Sequence, residues 1–469
     1  NNADITLGQT GGSIELLEMT DINSGSGGLH VVSPVTAHAY RLRLLSTGPV
    51  TLDGDLSGAG ALSFVGPVTF TNSATLSAAS FDFANGVTFG GSTTITASSV
   101  TLGGPVNVAG DLTVTGATVV NGGSVNSGSH TQTYNTLDGT SRVVVADSGN
   151  TTYTGAIGSV AAPAHFETDA VGSSKFSGGF VRTSSPNSIN IADDAVVTVD
   201  TTFDTTNNGA LPAGANITFG KTLNSDAVGA HAVTLNAGTN GLVSVVGAIG
   251  NAHPLSTLTV SNSKGAVFNA PVTTATSVVL TDTVAGQTIR FADNLSTPVL
   301  TTTAHGYNLE LLGTTTNVSA ANTATTFLNT GSLVLGNGAG DTLTFAGGLT
   351  ATAPAAISAA GAINTTNKAM TLGDSDTALT LTANTTMSSG SGDITLGGTV
   401  NDASSGTHSL TLNSTGVTTL QAALGNSSAL SSVTANAGGT LVMNGGTVTT
   451  TGAQSYGEAA TLGAATTLT

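Results

Sequence analysis

Short apolar–polar alternations recur along almost the whole chain. Val106-Asn107-Val108, Leu112-Thr113-Val114, Leu379-Thr380-Leu381 and Leu410-Thr411-Leu412 each show the period of two that marks a half-buried strand. Thr and Val, which dominate these runs, are β-branched and fit a pleated surface. Gly-Gly, Asn-Gly and Ser-Gly pairs separate the runs and signal turns. The pattern predicts strands of about three to six residues throughout. Helical periodicity is almost absent; Ile14 to Met19 is the one stretch where a short helix or a cap competes.

The runs also repeat at longer range. Gly425-Asn426 followed by Leu430-Ser431-Ser432-Val433-Thr434 recurs as Gly250-Asn251 followed by Leu255-Ser256-Thr257-Leu258-Thr259. A weaker copy begins at Gly158, and its continuation from Asp169 through Gly178-Gly179-Phe180-Val181 aligns without a gap to Asn436 through Gly445-Gly446-Thr447-Val448. Gly122-Gly123-Ser124-Val125 leads to Gln132-Thr133-Tyr134 much as Gly445-Gly446-Thr447-Val448 leads to Gln454-Ser455-Tyr456. Asp4-Ile5-Thr6-Leu7-Gly8 reappears as Asp393-Ile394-Thr395-Leu396-Gly397. Gly158 and Gly250 are 92 residues apart and Gly250 and Gly425 are 175 apart. Four and eight coils of about 23 and 22 residues account for both intervals, a usual size for a solenoid turn. The expected fold is therefore all-β, a parallel β-helix (β-solenoid) of roughly 20 coils. Residues 1–120 are read as N-terminal coils with a possible cap-like start, and residues 121–469 as a repetitive solenoid continuing the same rod.

Composition agrees with that geometry. Charged residues make up 7% of the 469, and nine basic residues face 26 acidic ones for a net charge of −17. In a parallel solenoid each side chain lies about 4.8 Å from its counterpart in the next coil. Like charges repel at that distance, whereas Thr, Ser and Asn can hydrogen-bond along the column. The 39% apolar fraction is ample for a core and argues against disorder. The chain contains no cysteine, which excludes disulfides and thiolate metal sites. No run approaches the roughly 18 apolar residues of a membrane helix. The start, Asn1-Asn2-Ala3-Asp4, has neither a basic region nor an apolar targeting segment, so a removed signal or an excised piece is expected. The basic residues are dispersed and end at Lys368, which excludes nucleic acid and disfavours anionic membrane surfaces.

The stretch from Ala423-Leu424-Gly425 through Gly445-Gly446-Thr447-Val448, Gly452-Ala453-Gln454-Ser455-Tyr456 and Leu462-Gly463-Ala464 to Thr466-Thr467-Leu468-Thr469 resembles the β-strand repeats of filamentous-haemagglutinin-like and autotransporter-type bacterial exoproteins. The likeness is best over residues 400–469, fair over 120–300 and compositional elsewhere. No secretion-signal domain of that family and no terminal barrel is recognisable. The resemblance implies a right-handed β-helix, secretion to the cell surface, and use as an adhesin or matrix fibre.

Candidate chemistry is sparse. The eight histidines (His30, His38, His130, His165, His231, His253, His305 and His408) are scattered singly. His165, Glu167 and Asp169 would share one strand face as a metal or acid–base cluster, against the plainer reading of a solvated face. Asp193, Asp194, Asp200 and Asp204 could offer calcium their carboxylates, or form an ordinary acidic loop. Gly336-Asn337-Gly338-Ala339-Gly340-Asp341-Thr342-Leu343 partly resembles the calcium-binding nonapeptide, with two of its glycines replaced and no tandem copy. Asn150, Asn216, Asn384 and Asn413 open glycosylation sequons of the kind this composition yields by chance. The chain has no Trp and five Tyr, so the aromatic platforms of a polysaccharide-cleaving β-helix are missing. No catalytic, cofactor-binding or metal residue is assigned, and no cofactor is expected. The expected function is non-enzymatic: a secreted structural subunit stacking end to end into a surface filament, sheath or matrix fibre. Surface glycans or proteins are the further partners expected, and no membrane insertion is expected. The stalk or passenger of a larger adhesin is the first alternative, and a carbohydrate-active β-helix enzyme the second.

Overall fold

A computed structural model of the chain describes residues 2–147, 149–184, 188–436 and 438–469, with the side chains of residues 146 and 147 excepted; Ala437, within one aligned repeat, lies outside the described residues. Among the described residues there is no helix, and the strands pair in parallel to build a β-solenoid of about 21 turns. The turns divide between two compact units, Asn1–Asp226 with Asn236–Gly241, and Ala227–Leu235 with Leu242–Thr469.

In the first unit the stacking is read directly from the register. Val50, Val68, Val87, Val106 and Val125 lie one over the next, all buried. Two further columns, Leu76–Ile95–Val114–Tyr134 and Phe64–Phe83–Leu102–Val120, fill the same coils from their other faces. The alternation in sequence is thus an in–out alternation, with odd positions of one strand buried against odd positions of the next. Like side chains meet: the Phe64 and Phe83 rings lie 5.0 Å apart and parallel within 2°, and Phe70 covers Phe89 at 5.2 Å. Such stacks add to the burial of the rings themselves.

The coil length departs from the uniform 22–23 residues expected. Val50 to Val68 is 18 residues, and the next three steps are 19 each. Ile189 to Ile217 is 28, because the loop from Thr205 to Asn216 bulges out of the coil. The second unit keeps closer to expectation: Val243, Ala266, Ile289, Leu309, Leu333 and Ile357 stack at steps of 20 to 24. On its outside, Thr326, Thr350, Thr371, Thr395 and Thr419 form a column of threonines. Coil length can vary because only the stacked strands must match in register; the corners absorb the remainder.

Ile14 to Met19 is not helical. Ile14–Glu15 is a strand paired with Val35–Thr36, and the N–H groups of Ile14 and Leu16 donate to the carbonyls of Pro34 and Thr36. Hydrogen bonds to the next coil, made by every neighbouring segment, outcompete the local ones a helix would need.

The repeats have a physical meaning at the corners. Gly158, Gly250 and Gly425 all have φ near +70°, a region open to glycine. A Cβ on each would fall 2.6, 2.2 and 2.2 Å from the carbonyl oxygen of Arg182, Thr273 and Thr449 in the following coil. The two leading residues of the repeated Asp-Ile-Thr-Leu-Gly segments also act alike. Asp4 Oδ1 accepts from Gly28 N at 2.7 Å and Asp393 Oδ1 from Val417 N at 2.8 Å, each 24 residues on.

Charge follows the stacking rule. Asp21 lies over Arg43, Arg182 over Asp204 and Arg290 over Glu310, whose Nε and Oε2 are 2.5 Å apart. Among the described residues no strand pairing sets like charge over like charge. Two outcomes are expected from this account. Glu310→Arg, which stacks two guanidinium groups, should lower stability by about 1 kcal/mol at low salt, and adding Arg290→Glu should restore it; denaturant midpoints across this double-mutant cycle check the claim. Gly250→Ala should cost roughly 2–4 kcal/mol through left-handed strain and the carbonyl clash, whereas a loss under 1 kcal/mol in thermal or urea unfolding would contradict it.

Candidate functional site

The fold brings two of the three residues of the sequence-derived cluster together. His165 and Glu167 project from the same face of the strand His165–Thr168, with Nε2 and Oε2 3.0 Å apart. Arg142, stacked on His165 from the preceding coil, bonds to the same carboxylate, and Asn190 Nδ2 reaches its other oxygen at 3.4 Å. Burial opposes ionisation of Glu167, but the bonds from His165 and Arg142 outweigh it and hold the carboxyl below its ordinary value. Ser188 Oγ lies 3.3 Å from His165 Nδ1. A serine, an imidazole and a carboxylate in sequence is the arrangement that activates a nucleophile. The nearby backbone donors, however, are committed to the coil ladder: Phe166 N donates to Ser188 O and Ile189 N to Asn216 O. The oxyanion of a carbonyl attacked by Ser188 Oγ would find neither of these N–H groups available. The cluster fits best as an ion network that ties successive coils together.

Asp169 follows the same alternation, but its charge acts on Asp193, which the sequence assigned to a separate acidic group. Asp193 is buried and accepts from Thr168 Oγ1 at 2.7 Å and Ser174 Oγ at 2.9 Å. Burial, helped by Asp169, pushes its carboxyl up to about 6 despite those two bonds. The other three acids of that group diverge. Asp194 takes Thr222 N and Oγ1, and Asp200 is exposed. Asp204 is buried and gathers Thr206 N, Thr206 Oγ1, Asn208 N and Asn236 Nδ2 within 3.1 Å. Asn207 and Asn208 are left-handed at φ 51° and 57°, so Asp204 pins the turn that opens the 28-residue coil. Among the described residues no three His, Asp or Glu side chains converge as a metal site would require.

The glycine-rich segment at 336 behaves similarly. Asp341 Oδ2 accepts from Asn337 N at 2.8 Å and Gly338 N at 2.9 Å, so its carboxylate closes its own turn. Two further clamps escaped the sequence reading. Buried Asp138 accepts from Val160 N and Ala161 N, one coil on. Asp402, its side chain fully enclosed, accepts from Ser404 N, Thr407 N, His408 N and His408 Nδ1 at 2.6–2.9 Å. Burial raises the Asp402 carboxyl, yet these donors together leave it below its ordinary value. An Asp-x-Ser/Thr step whose Asp is the last residue of a strand, as in Asp204-Thr205-Thr206 and Asp402-Ala403-Ser404, was the available signal.

The class that fold and side chains define is therefore a parallel β-solenoid whose carboxylates mostly hold corners and coils together. No family model, curated protein or solved structure matches the chain.

Asp193 generates a prediction with a definite sign. A carboxyl raised in the folded state contributes stability that is present below its unfolded value and lost as pH rises through about 6. Asp193→Asn should therefore be more stable than the native chain at pH 7, by roughly 2–3 kcal/mol. That advantage should shrink as pH falls from about 6 to about 4. Urea midpoints of both proteins over that range give the test, and a pH-independent difference would contradict the assignment.

Proposed function

We propose that this chain is an extracellular structural protein, a β-solenoid subunit of a bacterial surface filament, sheath or matrix fibre assembled by end-to-end stacking. The observation that carries this reading is the coil itself: each is a template for the next, in register and without like-charge contact. The first and last coils of this sequence expose apolar side chains that a neighbouring coil, of this polypeptide or of another, would cover. Leu462 and Leu468 are 58% and 50% exposed, and Thr467–Leu468 pairs on one side only, with Thr447–Val448. In the first coils of the sequence Ile5, Leu7, Ile14 and Ile22 are only half-buried. A further coil of the same build would cover these side chains, and an open strand edge favours such addition. Secretion to the cell surface is supported by the likeness to filamentous-haemagglutinin-like and autotransporter repeats, and it agrees with a cysteine-free, weakly charged chain.

The same observation fits the stalk or passenger of a larger adhesin, in which the covering coil belongs to the same polypeptide. Sedimentation and negative-stain microscopy separate the two. Filament assembly predicts concentration-dependent linear polymers that Leu462→Asp with Leu468→Asp suppresses. Particles that stay monomeric at every concentration would overturn it and leave the stalk reading.

A further inference from the structure

The first unit carries a second polar feature, away from the His165 cluster. An open groove of about 470 Å³ lies over the outer side of three stacked strands. Thr75, Thr94 and Thr113 form its floor, one above another in register, and the column continues through Thr133 and Thr152 until Lys175 interrupts it. Among the described residues none of these five threonine hydroxyls bonds to a protein group, in contrast to Thr115 and Thr154 beside them, which donate to Ile95 O and Tyr134 O. The groove's hydroxyls are left for solvent or a ligand.

Two carboxylates mark its ends. Asp55 Oδ1 accepts from Thr75 N at 2.7 Å, and Asp111 Oδ1 from Thr131 N and Oγ1 at 2.9 and 3.0 Å. The Thr131 donors hold the Asp111 carboxyl below its ordinary value, so it stays ionised. In both residues the second oxygen, Oδ2, remains uncommitted. Asp55 and Asp111 belong to coils three steps apart, about 14 Å at the usual strand spacing, too far to share one metal ion. No basic side chain lines the groove.

We propose that this groove binds an extended, electrically neutral oligosaccharide laid along the stacking axis. A saccharide presents what the lining lacks partners for: hydroxyls that donate to carboxylate oxygens and both donate to and accept from threonine. Successive sugar rings of an extended glycan advance by a length close to the coil spacing, so each ring meets an equivalent threonine, with its methyl beneath the ring's C–H face. An acidic glycan would be repelled by Asp55 and Asp111. A peptide would find neither an open strand edge nor an apolar anchor pocket here. Binding should be weak per ring, since every hydrogen bond replaces one to water and no aromatic platform contributes. This inference deepens the surface-protein reading by naming a partner, and rests on it for the setting in which glycans are met.

The test uses the full chain and neutral hexasaccharides (cellohexaose, laminarihexaose and chitohexaose), with hexagalacturonate as the acidic comparison, followed by ligand-detected NMR. At least one neutral hexamer should bind, more tightly than its dimer. Thr94→Val with Thr113→Val should weaken it roughly tenfold or more, with the circular dichroism unchanged. Isosteric valine keeps the strand and the methyl and removes only the hydroxyl. Absence of binding by all three neutral hexamers would overturn the proposal, as would binding indifferent to the valine pair or equal binding of the uronate. Those results would leave the filament measurements untouched, so the two readings fail separately.

Discussion

The structure depends on one interaction, the backbone hydrogen bond from a residue in one coil to its counterpart in the next. It runs from Ile5 N to Gly28 O at one end to Thr469 N to Val448 O at the other, and within each unit it sets what every side chain meets. Parallel in-register pairing places identical or similar residues over one another, so any property of a side chain is multiplied along a column. Apolar columns become a dry core, and phenylalanines become ring stacks. A charge becomes tolerable only where its neighbour has the opposite sign or none, as with Arg290 over Glu310.

The same constraint explains where the acidic residues went. Only strand positions must match in register, so the chain can lengthen or shorten a coil at its corners, provided the corner backbone is satisfied. Aspartates supply that satisfaction. Asp4, Asp138, Asp204, Asp341, Asp393 and Asp402 each accept backbone N–H groups of a turn or of the adjoining coil. Glycine does the complementary work where the following coil's carbonyl passes too close for a Cβ, as at Gly158, Gly250 and Gly425. A chain with little charge thus spends much of it on geometry. The groove floored by Thr75, Thr94 and Thr113 differs because its hydroxyls and two carboxylate oxygens are not spent in this way.

Stacking repeats equivalent groups along columns, and it also sets which side chains of different coils meet. The Ser188–His165–Glu167 chain of contacts is an instance. Three side chains from adjoining coils meet because those coils stack, and the same ladder commits the Phe166 and Ile189 N–H groups beside them. A column of equivalent groups is the feature on which the proposed partners, another coil and a linear glycan, both rest.

The sequence by itself determined the strand class, the in–out alternation and the existence of coils. These are local: period-two burial in Leu410-Thr411-Leu412 or glycine at a left-handed corner is imposed on each residue by its own backbone and neighbours. It also marked His165 and Glu167 as facing the same way, since two residues apart on a strand always do. Only the tertiary structure decided which residues meet across coils, because the step between stacked partners is 18 residues from Val50 to Val68 yet 28 from Ile189 to Ile217, and no local signal sets it. Arg142 over His165, Asp193 against Thr168 and Ser174, and the choice of strand over the competing helix at Ile14–Glu15 all follow from that register. The physical reason is that a corner's length is nearly free, while the pairing it leads to is fixed by hydrogen bonds made elsewhere in the chain.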